Sequence, residues 1–129
     1  MYNEGHGGDF MSDNAILAKS KTFAVRIIKL YQHLCLQSNE YVMSKQLLRS
    51  GTSIGANVRE AVNAYSKKEF AAKMSISLKE ASESAYWLEL LYETDYLTKA
   101  QFDSIYADNE ELIKLLTSIV KSLKADLSN

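Results

Sequence analysis

The chain holds two histidines and one cysteine, and their placement limits metal and nucleophilic chemistry from the start. A di-metal helical bundle needs inward carboxylates plus Glu-x-x-His on two helices. Here His6 and His33 are preceded three residues earlier by Asn3 and Leu30. His33 and Cys35 stand two apart, roughly 200° around a helix, so they cannot share a ligand site without unwinding it. His33 reads as the edge of an apolar face and Cys35 as a small core residue, since nothing nearby would stabilise its thiolate. Gly51-Thr52-Ser53-Ile54-Gly55 has a phosphate-loop flavour, yet Gly55 is followed by Ala56-Asn57 and not by Lys and Ser or Thr. No nucleophile elbow and no zinc-type cysteine spacing occurs. The expectation is a protein that is not an enzyme and carries no cofactor or metal.

Charge is the next chemistry on offer. The net formal charge is −1, so no global field draws the chain to nucleic acid or anionic lipid. Its distribution is uneven. Residues 15–64 carry seven basic and two acidic side chains, and residues 65–129 carry eight basic and eleven acidic ones. Lys19, Arg26 and Lys29 share one face of the first helical segment, with His33 near them, and that segment holds no acid. Together with Arg49 they are the candidates for phosphate contacts with RNA or DNA. The alternative is a protein-interaction module in which the basic helix pairs with acidic helices of a neighbouring copy and no nucleic acid is bound.

Two further patterns point to packing. Gln46, Arg49, Ser53, Asn57 and Glu60 fall within roughly 80° on a helical wheel. Ser and Asn compete with the backbone in mid-helix, so a hydrogen-bonded line against a neighbouring helix or subunit explains them better than plain exposure. Gly51 and Gly55 lie four apart in the same helix, where each costs roughly 1 kcal/mol relative to alanine. A neighbouring backbone or bulky side chain is expected close to them. On the third helix Ile76, Trp87 and Leu90 lie well off the main seam, an excess of apolar surface that favours oligomerisation.

The elements that position these residues are helices throughout. The chain of 129 residues has no proline, and three of its five glycines fall in the first eight positions. A many-stranded β fold is excluded for want of turn chemistry. Residues 1–13 read as a disordered leader without signal-peptide character, and Gly7-Gly8 before Met11 raises the expectation that translation starts at Met11. Residues 14–129 form the domain. Its first helix carries two apolar stripes, one with Ile16, Phe23, Ile27, Leu30 and Leu34, the other with Leu17, Ala24, Ile28, Tyr31 and Cys35. Gln37-Ser38-Asn39 breaks it. A second helix from near Glu40 or Ser44 to about Ala64 has the seam Leu47, Gly51, Ile54, Val58, Ala61 and Tyr65. Ser66 and Glu69 make a capping box for a third helix with Phe70, Met74, Leu78, Ala81, Ala85, Leu88 and Tyr92. After the break at Asp95-Tyr96-Leu97, Thr98 and Gln101 cap a fourth carrying Phe102, Ile105, Leu112, Leu116, Ile119 and Leu123. Short connections between them predict an all-α, antiparallel up-down-up-down four-helix bundle. No apolar run approaches the roughly 20 residues of a membrane span, and a cytoplasmic location is expected.

Gln46-Leu47-x-Arg49 followed by Ser53-Ile54-x-x-Asn57-Val58-x-Glu60 resembles the signature of the four-helix bundle family encoded by intervening sequences of bacterial 23S rRNA genes. Ser66-x-x-Glu69-Phe70, the run Ser75 to Ala81 and Tyr86-Trp87-Leu88 are similar to its third helix. The likeness covers about residues 20–124. Glu60-Ala61 stands where the family pattern has Glu-Gly, so the second helix is expected to run further here. The resemblance implies a homo-oligomer, commonly a ring-shaped pentamer. It also implies a broad relation to the accessory variability protein of diversity-generating retroelements, which binds nucleic acid and a reverse transcriptase.

Overall fold

The computed structural model describes residues 10–128, with side chains from Ala15 to Ser128. Most of the expected leader, residues 1–9, lies outside the described residues. Four helices follow in order: α1 (Phe10–Ser38), α2 (Met43–Val62), α3 (Lys67–Glu93) and α4 (Lys99–Ser128). The helix-only reading of the sequence is what the chain adopts.

Caps and turns mark the boundaries, and they manage without glycine. Asn39 and Asp95 take the left-handed conformation (φ 51° and 68°) at the ends of α1 and α3. Asn and Asp visit this region more readily than other non-glycine residues. At the end of α3, the N–H of Tyr96 bonds to Leu91 O and that of Asp95 to Tyr92 O. This Schellman pattern satisfies carbonyls the helix leaves open. Thr98 and Gln101 form a reciprocal box: Gln101 N–H donates to Thr98 Oγ1 and Thr98 N–H to Gln101 Oε1. Ser66 Oγ accepts from Glu69 N–H, while the Glu69 carboxylate reaches Tyr65 N–H.

The start of α2 has a cap that the spacing did not identify. Glu40, only 6% exposed, accepts from the amides of Val42, Met43 and Ser44. Burial pushes its carboxyl pKa up, but the bonds from Ser44 and Met43 outweigh this and hold it below its ordinary value.

Cross-helix contacts give the topology. Gly51 meets Ile27 and Gly55 meets Ser20 between α1 and α2. Ser77 bonds to Ile54 O, and Ser50 to Ser84, between α2 and α3. Asn109 bonds to Ala81 O and Tyr106 to Glu89 between α3 and α4. Arg26 bonds to Asp108, and Lys19 to Glu111, between α1 and α4. In each pair residue numbers rise along one helix as they fall along the other, so all neighbours are antiparallel. The bundle is a closed square with up-down-up-down order, and each helix touches two others. That explains the wide apolar arc of α1: Leu17, Ala24, Tyr31 and Cys35 flank its core stripe as half-buried residues.

The core is the expected seam with amendments, the first in α1, where Leu30 is half-buried and Ile28 exposed. Leu47, Gly51, Ile54, Val58 and Ala61 of α2 are buried. Tyr65 is not, because α2 ends at Val62 and leaves it 88% exposed. Leu78 and Tyr92 of α3 and Phe102 of α4 are half-buried flanks, while Ser77, Ser84, Leu91 and Asn109 occupy the interior. Tyr92, Phe102 and Tyr106 stack with centroids 4.5 and 4.7 Å apart beside the α3–α4 turn.

Candidate interaction surface

The cations of α1 stand on its α4-facing edge. Arg26 Nη1 donates to Asp108 Oδ2 at 2.6 Å, and Nη2 donates to Ser104 Oγ at 3.0 Å. Lys19 Nζ lies 3.1 Å from Glu111 Oε2. Lys29 makes no ion pair with a described side chain, and His33 is exposed beside it. The segregated charges of the two halves of the sequence therefore meet within one chain for Lys19 and Arg26. Asp108, Ser104 and Glu111 went unremarked in the sequence. Their signal, two acids one turn apart at Asp108 and Glu111, points to Lys19 and Arg26 only once the helices are antiparallel.

Arg49 is engaged in the same way on the α2–α3 edge. Nη1 donates to Glu80 at 2.8 Å and Nη2 to Glu83, whose carboxylate also accepts from Trp87 Nε1 at 3.0 Å. The bond from Trp87, followed by that from Arg49, holds the Glu83 pKa below its ordinary value. The Glu83 bond is the main influence raising that of Arg49.

Arg49 and Glu60 of the polar stripe reach across to α3, Glu60 to Lys73 at 3.2 Å. Ser53 Oγ and Asn57 Nδ2 instead donate to carbonyls one turn back in their own helix, Arg49 O and Ser53 O. Gln46 is exposed. Of the residues set off the α3 seam, Trp87 and Leu90 are half-buried and Ile76 is 42% exposed.

Gly51 and Gly55 are where α1 and α2 come closest. A Cβ at Gly51 would stand 2.9 Å from both Cγ atoms of Ile27. One at Gly55 would stand 3.3 Å from Ser20 Oγ and 3.4 Å from the Ser20 backbone. The missing side chains thus make room for a β-branched residue and for backbone. Outside this contact the groove between the helices, lined by Leu17, Ala24, Thr52 and Ala56 among others, is open.

Two groups stand out among the large apolar side chains left exposed, which also include Tyr41, Val42, Tyr65 and Leu127. Val25, Ile28 and Leu36 lie on the outer face of α1, at 45%, 41% and 78% exposure. Ile76 and Tyr86 lie on α3, where Tyr86 packs edge-on against Trp87. Among the described residues, no three His, Cys, Asp or Glu side chains are grouped to hold a metal, and no helix is long and apolar enough to cross a membrane.

Comparison with known proteins bears on this architecture. A family model described as "23S rRNA-intervening sequence protein" matches residues 12–118. A solved structure from Bacteroides thetaiotaomicron, described as a protein with unknown function from the S23 ribosomal protein family, is 55% identical. The match covers 85% of this chain and 98% of that one, with a TM-score of 0.84. None of the curated proteins matches.

Proposed function

The chain belongs to the 23S rRNA-intervening sequence protein family, and from that premise we propose that it is a non-enzymatic, cytoplasmic scaffold that self-associates through the outer faces of α1 and α3. The observation that carries this reading is the exposure of Val25, Ile28, Leu36, Ile76 and Tyr86 after every helix has two packed neighbours. Large apolar side chains left outside on two separate helices favour association. The ring-shaped pentamer implied by the resemblance is the assembly we expect.

The pairing of Lys19, Arg26 and Arg49 with carboxylates of the same chain favours protein over nucleic acid as the partner. A polyanion would have to displace Asp108, Glu111 and Glu80 before it reached those cations. Sedimentation velocity on the wild type and on Ile28→Glu/Ile76→Lys tests the reading. The wild type sediments as one defined oligomer and the double variant as a smaller species with unchanged helical content. A wild type that sediments as a monomer overturns it.

A further inference from the structure

We propose that the cleft between α1 and α4 beneath the α3–α4 turn binds a phosphate monoester with a small apolar body. The proposal does not depend on self-association. Two clefts lie along this seam and differ in charge. The first holds Lys19 together with Asp108 and Glu111, so its cation is balanced by carboxylates. The second, about 280 Å³, is lined by Arg26, Lys29, His33 and Gln101 around Leu30, Leu97 and Ile105, with no acid among them. In a chain of net charge −1, a basic cleft whose lining includes no acid is a local exception.

Each wall has a reason to be where it is. Leu97 and Ile105 are 4% exposed and fix an apolar floor. Lys29 and His33 stand one turn apart on α1, and neither forms an ion pair with a described side chain. Gln101 spends its Oε1 on Thr98 N–H, which turns its amide toward donation. Arg26 closes the side of the cleft, its charge already engaged by Asp108 and its Nη2 by Ser104. A phosphate monoester offers several acceptor oxygens and a charge that a lysine, an imidazole N–H and an amide can meet together. The volume lies at the low end for ligand pockets, which limits the body to about the size of one small ring.

The test is amide and imidazole NMR of the full-length protein titrated with phenyl phosphate, inorganic phosphate and phenol. Phenyl phosphate shifts the His33 imidazole and the Lys29 and Gln101 amides saturably. Inorganic phosphate does so more weakly, and phenol not at all. Lys29→Ala and His33→Ala each weaken phenyl phosphate binding by about tenfold, the loss expected for one charge-assisted bond. Both residues are exposed, so the variants keep the fold, which the unshifted remainder of the spectrum verifies. Lys114→Ala, on the outer side of α4, leaves binding unchanged. The assignment is overturned if the cleft amides do not shift up to about 10 mM phenyl phosphate. It is also overturned if the two cleft variants bind as well as the wild type.

Discussion

The α1–α2 and α1–α4 seams use the same helix and opposite physics. Against α2, Ile27 sits in the space of a missing side chain at Gly51, and Ser20 lies close against Gly55. Against α4, the helices meet through Arg26–Asp108 and Lys19–Glu111, with an open cleft beside each pair. A short turn ties α1 to α2, whereas α1 and α4 are the packed neighbours with no direct connection. Close apolar packing depends on shape, and exposed ion pairs depend on the solvent. The first seam should therefore respond to volume and the second to salt.

The largest effect separating them is expected at Ile27. Ile27→Ala should cost about 2–5 kcal/mol of unfolding free energy in urea, as a large-to-small change in a filled core. Gly51→Ala should cost about 1–2 kcal/mol, because the overpacking penalty exceeds the gain of about 1 kcal/mol in helix propensity. Combining them relieves part of the clash: with Ile27 truncated only its Cβ, 3.3 Å from the new one, remains, so Gly51→Ala costs less than in the wild type. Additive costs would show that the two residues do not share the space.

The cap of α2 comes next. Glu40→Ala should destabilise by about 0.5–2 kcal/mol, the range for a lost helix cap. Because the folded pKa of Glu40 is lowered, its contribution is present above the unfolded pKa and disappears as pH falls through the folded one. The difference between wild type and variant should thus shrink in acid. A pH-independent difference would assign the loss to packing.

On the other seam, an Arg26→Ala and Asp108→Ala cycle should give a coupling of only about 0.2–1 kcal/mol, since both side chains are more than a third exposed. That coupling should fade near 1 M salt, where screening acts within about 3 Å, while the Ile27–Gly51 coupling does not. The smallest effect lies at the α3–α4 end. Tyr106 donates to Glu89, which raises its pKa to about 12. Its contribution is intact below the ordinary tyrosine value near pH 10 and is lost as pH rises through about 12. Ultraviolet titration should show a phenolate near pH 12 that Tyr106→Phe removes.

What the sequence makes legible follows from what periodicity encodes. Apolar spacing and the Ser66 and Thr98 caps are local, so the four helices and most of their core stripes can be read from it. Gly51 and Gly55 announce a close approach by costing helix propensity, though not that Ile27 and Ser20 answer them. Tyr65 continues a heptad past the end of the helix, and a heptad does not say where a helix stops. Ser77 and Ser84 are buried although polar because each finds a backbone partner, and Asn109 is held through its Nδ2 while its Oδ1 has no partner among the described residues. The destination of the cations is not local either. Lys19, Arg26 and Arg49 form a recognisable basic surface in sequence, but their partners lie 31 to 92 residues away. Only the antiparallel register brings them together.

A closed bundle with Lys19, Arg26 and Arg49 engaged internally should associate through its remaining apolar faces. Native mass spectrometry of the full chain, purified at moderate salt and free of nucleic acid, tests this most directly. The expected spectrum shows a single assembly at an integer multiple of the 14.5 kDa protomer, five being the expected number. A spectrum dominated by the protomer mass, or an assembly that forms only when nucleic acid is added, would contradict it.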